Sequence, residues 1–234
     1  MLHKDWISNI EIYSEAWDQM RLGKFTSSKI HCLMTKKELT EDGIAYIHQK
    51  AGELLSGRST CGEEDKIEDE STVWGITNEP VAIQEFGQKM GIKFLVVGKM
   101  IHQPGSRFSS TPDALWVLNS SVIKENHYNV ASVEVKCPHK FHRFIPLYQC
   151  KTTKDLKAKS KNYYWQVLDQ MDNCCAAVGY FVVYHPYFPA GNNMRIIEFR
   201  KIDLWDDFSF LQQRKKQALE IFGHIYSEFS VQKT

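Results

Sequence analysis

Two carboxylates and a lysine stand at positions where they could act together on a phosphodiester. Asp113 directly precedes a short apolar run, and Glu134 and Lys136 come 21 and 23 residues later, each after a valine. Successive strand residues face opposite sides of a sheet, so Glu134 and Lys136 are predicted to share one exposed face while the valines enter the core. A hairpin-like pairing of the two strands would bring Asp113 beside Glu134. Converging carboxylates attract a hard cation such as Mg²⁺, which suits hydrolysis by an activated water that the lysine holds or helps to deprotonate.

Each of these motifs has a simpler explanation when it is taken alone. A Pro-Asp pair is typical of a turn, and a Glu-x-Lys pattern on a strand is typical of a solvated face. Their combination in this order and in strand context favours the catalytic interpretation.

A third carboxylate, Glu79, belongs to the segment from Trp74 to Pro80. We expect Glu79 in the first turn of a helix over about 77–90, where a carboxylate interacts favourably with the helix dipole. A plain acidic helix start is the alternative.

Uncharged polar side chains recur at spacings of three and four residues on a predicted helix over about 162–176. They are Tyr163, Gln166, Gln170 and Asn173, and they flank an apolar stripe. A solvated face is the alternative. Amides and a tyrosine, rather than charges, favour hydrogen bonding to a partner.

The segment 21–28 places two cations, Arg21 and Lys24, before a hydroxyl-rich helix start at Thr26, Ser27 and Ser28. Helix N-termini bind phosphate because their first backbone N–H groups are free and the dipole favours negative charge. A simple N-cap at Thr26 is the alternative.

A sheet and several helices are needed to position these residues. Periodicity predicts helices over about 12–20, 26–34, 40–55, 77–90, 162–176 and 204–230, and strands over 94–97, 114–118, 131–135, 178–184 and 194–199. This order predicts one α/β (α+β) domain over 1–234. Its parts are a helical N-terminal part (about 1–90), a catalytic sheet core (about 91–200) and a C-terminal helix (about 204–230).

The composition is that of an ordinary globular protein, with 43% hydrophobic and 24% charged residues, and it excludes a disordered chain, a collagen-like fibre and a disulfide-dense miniprotein. Charge is unevenly distributed. The predicted exposed loop over 56–71 has six acids between 62 and 70, whereas 136–161 holds eight basic residues and one acid. No apolar stretch approaches the roughly 20 residues that span a bilayer. The six cysteines lack CxxC spacing and are predicted to be reduced thiols.

Five segments between about residues 17 and 186 together resemble the lambda exonuclease (YqaJ-type viral recombinase) branch of the PD-(D/E)xK nucleases. They are Arg21 with Thr26-Ser27-Ser28, Gly75 with Asn78-Glu79-Pro80-Val81-Ala82, Ser110-Thr111-Pro112-Asp113, Glu134-Val135-Lys136-Cys137-Pro138, and Tyr163-Tyr164-Trp165-Gln166-Val167 with Gln170-Met171. Each is weakly specific alone, whereas the ordered set is fairly specific. The resemblance implies a restriction-endonuclease-like core, a central mixed sheet flanked by helices.

The resemblance also implies a role for each catalytic group. Asp113 and Glu134 would be metal ligands, helped by the Val135 carbonyl, and Glu79 would be the helix carboxylate near a second metal. Lys136 would be the catalytic lysine. The implied cofactor is Mg²⁺, for which Mn²⁺ can substitute, with two ions bound.

The same resemblance implies how the site and the substrate end are held. Gln166 would orient the site from its helix, while Arg21, Ser27 and Ser28 would hold a 5′ phosphate. Two mild departures from the family pattern are Ser27 in the phosphate motif and Ala114, where glycine is frequent.

The basic segment fits such a function, because neutralised phosphates supply much of a protein's affinity for DNA. Lys140, Arg143, Lys151 and Tyr163 are the candidate DNA contacts. A solvated loop and helix face is the alternative.

The resemblance therefore implies a 5′-to-3′ exonuclease that acts on linear double-stranded DNA ends in phage-type recombination, as a homotrimer and with a single-strand annealing protein. A structure- or site-specific endonuclease of the same fold and a non-catalytic DNA-binding relative are the alternatives. An iron–sulfur nuclease is disfavoured because no cysteine follows Cys175. The N-terminal residues lack the apolar core of a secretion signal, so the expected location is the cytoplasm, or the nucleus or infected-cell compartment of a eukaryotic host.

Overall fold

The computed structural model describes residues 1–12, 14–59, 70–92, 95–118 and 127–230. Most of the predicted acidic loop lies outside the described residues. Helices in the described part are α1 (Glu15–Arg21), α2 (Glu41–Ser56), α3 (Glu70–Met90), α4 (Phe141–Tyr148), α5 (Thr153–Lys159), α6 (Lys161–Asn173) and α7 (Trp205–Ser230). Strands are β1 (Leu2–His3), β2 (Phe25–Thr26), β3 (Leu95–Val97), β4 (Ile101–His102), β5 (Phe108–Ser110), β6 (Ala114–Val117), β7 (His127–Tyr128), β8 (Val130–Lys136), β9 (Val178–Tyr184) and β10 (Met194–Arg200). Short 3-10 helices cover Lys4–Trp6, Ser27–Leu33 and Lys201–Leu204.

Helix α2 shows how local sequence sets an element's bounds. The Thr40 hydroxyl accepts a hydrogen bond from the backbone N–H of Gly43 at the start. Gly57 ends the helix in the left-handed region at φ 68°, which glycine adopts without a Cβ clash. The prediction of a helix over 40–55 that ends before Gly57 is confirmed.

The predicted start of helix α3 is wrong. The helix begins at Glu70 rather than near Thr77, so Glu79 lies in its interior and not in its first turn. The dipole argument for Glu79 therefore fails. Pro80 also lies inside the helix. A proline there removes one hydrogen bond, and packing of Ala82 and Phe86 against the sheet offsets that loss.

The segment after Thr26 also differs from its prediction. It forms a 3-10 helix, Ser27–Leu33, and the Thr26 side chain makes no cap hydrogen bond. Instead, the Thr26 backbone N–H donates to the Tyr46 hydroxyl on α2 at 2.9 Å. Long-range packing on α2 therefore fixes this segment.

A five-stranded mixed sheet in the order β10-β9-β8-β6-β3 forms the centre of the molecule. Strands β8 and β9 are parallel, and the other neighbouring pairs are antiparallel. Helix α3 packs on one face with Val133 and Val135, while α6 packs on the other face with Phe181. The predicted fold class, a central mixed sheet flanked by helices, is confirmed.

A three-stranded sheet in the order β2-β5-β4 lies beside this core, with β2 parallel to β5. A third sheet pairs β1 with β7. No helix within the described ranges has the length and apolar character needed to cross a bilayer. The five cysteines in those ranges are free thiols, as predicted.

Candidate active site

Asp113 and Glu134 come together where β6 begins. Strands β6 and β8 are antiparallel with Ala114 opposite Val133, so Asp113 lies beside the end of β8. The Val135 backbone N–H donates to Asp113 Oδ2 at 2.6 Å. The predicted hairpin-like pairing of these strands is confirmed, and it fixes the Asp113 carboxylate through backbone geometry.

Glu134 is buried, with 1% of its surface exposed, so the prediction of an exposed face is wrong. Helix α6 covers this side of the sheet and supplies two amides. The Gln166 Nε2 donates to Glu134 Oε1 and the Gln170 Nε2 donates to Oε2, each at 2.5 Å. The amide stripe therefore has a partner, which is the carboxylate of β8.

Lys136 forms an ion pair with Glu134, and its ammonium lies 5.5 Å from the centre of the Tyr163 ring. Burial alone would lower the pKa of Lys136, but the negative charges of Glu134 and Asp113 outweigh burial and raise it above its ordinary value. Lys136 is therefore a protonated cation at neutral pH in this arrangement.

The remaining carboxylates repel one another. Burial, followed by the charge of Glu134, raises the pKa of Asp113 well above its ordinary value. Burial also raises the pKa of Glu79, against the lowering effect of Lys136. Asp113, Glu134 and Glu79 thus act on one another and on a single ammonium, so acidic groups outnumber basic ones here.

This donor set fits a divalent hard cation. Within the described residues, no three His, Cys, Asp or Glu side chains converge into a complete metal cage. Mg²⁺ ordinarily binds through one or two carboxylates, with substrate phosphate and water completing its octahedron. Asp113 and Glu134 supply carboxylate oxygens of that kind on neighbouring strands.

A cavity of about 350 Å³ joins the carboxylates to the predicted phosphate motif. Its lining includes Arg21, Thr26, Ser27, Ser28, Glu79, Asp113, Gln166 and Gln170. Residues as far apart in sequence as Arg21 and Gln170 therefore face one space.

The three residues of the phosphate motif differ in their availability. The Arg21 guanidinium lies 4.0 Å from the centre of the Trp17 ring, which orients it on α1. Ser28 is exposed. Ser27 is buried, and its hydroxyl donates to Asp169 Oδ2 at 2.6 Å, so the Ser27 proton is directed away from a ligand in the cavity.

A second cleft of about 260 Å³ lies on the other side of Glu79. Lys136, Lys140, Arg143 and Tyr163 are among its lining residues. Glu79 lines both spaces, so they meet at this carboxylate. Lys151 is exposed but does not line either space.

Sequence reasoning did not assign Gln170 or Asp169 to the site. The spacing of four residues between Gln166 and Gln170 was a sufficient signal for the second amide. Asp169 is fully buried, and Lys215 Nζ lies 2.5 Å from its Oδ1. No local sequence pattern predicts this ion pair, because Lys215 lies on α7.

Comparison with known proteins places this geometry in context. The family model described as the YqaJ-like viral recombinase domain matches residues 16–174. No curated protein matches the chain.

Three solved structures are similar in fold. An alkaline exonuclease from Laribacter hongkongensis (LHK-Exo) has 20% identity and a TM-score of 0.68, over 94% of this chain and 99% of that chain. The same protein in complex with dAMP has 21% identity, the same TM-score and the same coverage. A phage-related exonuclease from Haemophilus somnus 129PT has 16% identity and a TM-score of 0.62, over 88% of this chain and 96% of that chain.

Proposed function

The chain belongs to the YqaJ-like viral recombinase family and is by class a deoxyribonuclease, and from that premise we propose that it is a metal-dependent exonuclease that degrades linear double-stranded DNA from 5′ ends. One observation carries the proposal. Asp113 and Glu79 share a cavity with Arg21 and Ser28. The carboxylates can hold a cation, and Arg21 and Ser28 can hold an anion. A space with both suits a terminal nucleotide, which has a 5′ phosphate at one end and the scissile phosphate at the other.

The size and the neighbours of the cavity support a nucleotide as its ligand. Its volume of about 350 Å³ falls in the range of about 300–1,000 Å³ that is usual for small-ligand sites. LHK-Exo, which is similar in fold, was solved with dAMP. We infer that the cavity of this chain takes the terminal nucleotide, with its 5′ phosphate at Arg21 and Ser28. The hydroxyl of Ser27, the third predicted phosphate residue, is instead held by Asp169.

The metal ligands in this proposal are Asp113, Glu134 and the Val135 carbonyl, with Glu79 at a second ion. Mg²⁺, or Mn²⁺ in its place, would neutralise the scissile phosphate and lower the pKa of a water. Lys136 pairs with Glu134, a position from which it would donate hydrogen bonds to the water or to the scissile phosphate.

The neutral groups around the carboxylates position them. Gln166 and Gln170 each hold one oxygen of Glu134, and the Val135 N–H holds Asp113. Lys140, Arg143 and Tyr163 line the second cleft, where we place the rest of the duplex. Lys151 is exposed and is assigned to more distant backbone contacts. The homotrimer, the annealing-protein partner and the location stay predictions from the family resemblance.

The test is digestion of linear duplex with Mg²⁺, with the 5′ and 3′ ends labelled in separate reactions. We expect release of 5′-terminal nucleotides, no cutting of covalently closed circles, and no product in EDTA. Asp113→Asn should lose product release by at least a hundredfold and still bind DNA, whereas Asp206→Asn, an exposed control on α7, should match the wild type. Cutting of closed circles, or an active Asp113→Asn variant, would refute the proposal.

A further inference from the structure

Helix α6 contacts both the phosphate motif and one of the carboxylates of the site. Gln166 and Gln170 each donate to one oxygen of Glu134. Asp169 lies between these glutamines in sequence, and its Oδ2 accepts a hydrogen bond from the Ser27 hydroxyl at 2.6 Å. One helical turn rises about 5.4 Å, so a single turn of α6 joins the phosphate motif to Glu134.

Asp169 is fixed by contacts that do not depend on Ser27. It is fully buried, and Asn173 Nδ2 donates to its Oδ2 at 3.0 Å. Lys215 Nζ lies 2.5 Å from its Oδ1 and also pairs with Asp172 at 2.7 Å. Asp169 is therefore an anchored acceptor, and the Ser27 hydroxyl is a group that it holds in place.

The segment that carries the phosphate motif is held from a second side as well. The Thr26 backbone N–H donates to the Tyr46 hydroxyl on α2 at 2.9 Å. Thr26 and Ser27 are buried, whereas Ser28 is exposed and lines the cavity. The contacts of Thr26 and Ser27 therefore fix the backbone that presents Ser28 to a ligand.

The buried ion pair of Asp169 and Lys215 suits geometry better than stability. The cost of taking two charges out of water often exceeds their attraction, and apolar residues of similar volume are frequently as stable. An apolar pair could not hold the Ser27 hydroxyl in one direction, whereas an anchored carboxylate does. A role in positioning is therefore a reason for this pair to be present.

We propose that Asp169 is a positioning residue that, through Ser27, sets the distance between the 5′ phosphate and the scissile phosphate at one nucleotide. This inference rests on the proposed function, because the distance is measured from a 5′ phosphate at Arg21 and Ser28. The phosphate motif and Glu134 are held by the same turn of α6, so the first phosphodiester is the one that meets the carboxylates. Release of the motif would let the 5′ end lie farther away, and cleavage at the second phosphodiester would then give a dinucleotide.

The test is the length of the first product released from a 5′-labelled duplex with Mg²⁺, resolved as mononucleotide and dinucleotide. The wild type should release mononucleotides. In Ser27→Ala the ratio of dinucleotide to mononucleotide should rise about tenfold to a hundredfold, because loss of a hydrogen bond to a charged group changes an equilibrium by about that factor. Asp169 keeps Asn173 and Lys215 as partners in this variant, so the fold should be retained. Ser209→Ala, at an exposed serine of α7, is the matched control and should give the wild-type product.

Two double variants separate the hydrogen bond from the ion pair. Asp169→Asn/Lys215→Met and Asp169→Leu/Lys215→Met both remove the two charges together, so neither leaves one of them buried and unpaired. The asparagine variant keeps an oxygen that can accept the Ser27 hydroxyl, and it should release mononucleotides. The leucine variant lacks this acceptor and should give the product ratio of Ser27→Ala. A purely structural role would lower the activity of both double variants alike and leave the product length unchanged.

The outcomes distinguish this proposal from the proposed function. Exclusive mononucleotide release by Ser27→Ala, or one product ratio in both double variants, would overturn the positioning role of Asp169 and leave the exonuclease proposal standing. Failure of the wild type to release any 5′ nucleotide would refute the exonuclease proposal, and the positioning role with it.

Discussion

Replacing Gln170 by leucine should separate the activity of the site from the stability of the fold. The Gln170 amide nitrogen donates to Glu134 Oε2 at 2.5 Å from the interior of α6. The Gln170 amide oxygen is buried without a hydrogen-bond partner among the described residues. Leucine has a similar size, so the substitution removes both polar atoms with little change in packing.

The two effects on stability oppose each other. A hydrogen bond to a charged group contributes about 1.5–3 kcal/mol, and its loss leaves Glu134 with one buried oxygen less well satisfied. Removal of an unpartnered buried oxygen gives back about 1–3 kcal/mol. We therefore expect the free energy of unfolding to change by no more than about 1–2 kcal/mol.

The substitution has no second, opposing effect on activity. Groups that orient a metal-binding carboxylate typically account for about 10–100-fold in metal affinity or rate. Gln170→Leu should therefore raise the Mg²⁺ concentration at half-maximal activity, or lower kcat, by a factor in that range. DNA binding in EDTA should stay near that of the wild type.

The assay is nucleotide release from an end-labelled duplex across a Mg²⁺ titration, with urea unfolding measured on the same samples. Gln213→Leu, at an exposed position of α7, is the matched control and should change neither measurement. A variant with wild-type kcat and metal requirement would show that Gln170 does not orient Glu134. A loss of folding as large as the loss of activity would show that the contact is only structural.

Three other substitutions test separate parts of the structure. Asp113→Asn should raise the melting temperature of the metal-free protein while removing activity, because it takes one carboxylate away from two others; an unchanged or lower value would contradict the repulsion. Arg21→Gln should slow digestion of 5′-phosphorylated ends more than of 5′-hydroxyl ends, and equal slowing would exclude the phosphate role. Burial, and then the charge of His139, hold the pKa of His185 below its ordinary value of 6.5. The unfolded chain then binds more protons below pH 6.5, so stability falls as the pH drops. His185→Phe should reduce the difference in unfolding midpoint between pH 7.5 and 5.5, and an undiminished difference would assign it to other groups.

The sequence was sufficient for those parts of the site that lie on one element or on two paired strands. Alternation in β8 and the position of Asp113 before β6 predicted that the two carboxylates meet. The repeat of Gln166 and Gln170 on α6 predicted that amides would find a partner. These signals work because strand and helix periods determine which side chains share a face.

Burial of Glu134 could not be predicted in the same way. Alternation places a side chain on a face but does not tell whether a helix covers that face, and α6 begins 25 residues after β8 ends. The start of α3 was misread for a related reason. The prediction began the helix near Thr77, three residues before Pro80, and the packing of Phe86 and its neighbours against the sheet supports a helix that holds this proline in its interior.

The contact between Ser27 and Asp169 shows the same limit over a longer distance. It joins side chains 142 residues apart, and Lys215 approaches the same carboxylate from α7. Taken alone, Ser27 has the pattern of an ordinary helix-start hydroxyl, and Asp169 and Lys215 have the pattern of surface charges. Only the three-dimensional arrangement shows that α6, α7 and the phosphate motif share one buried polar network.

The choice of amides around Glu134 follows from the conflict between stability and function. A buried carboxylate needs hydrogen-bond donors, and a second lysine or an arginine at position 166 or 170 would provide them. Such a cation would also cancel the negative charge that attracts a metal ion. Gln166, Gln170 and the Val135 N–H satisfy the carboxylate oxygens while adding no charge. In the proposed metal site, neutral donors would therefore fix the geometry and leave the negative charge to the cation, which accounts for amides on a stripe of α6 where a solvated helix face would carry charges.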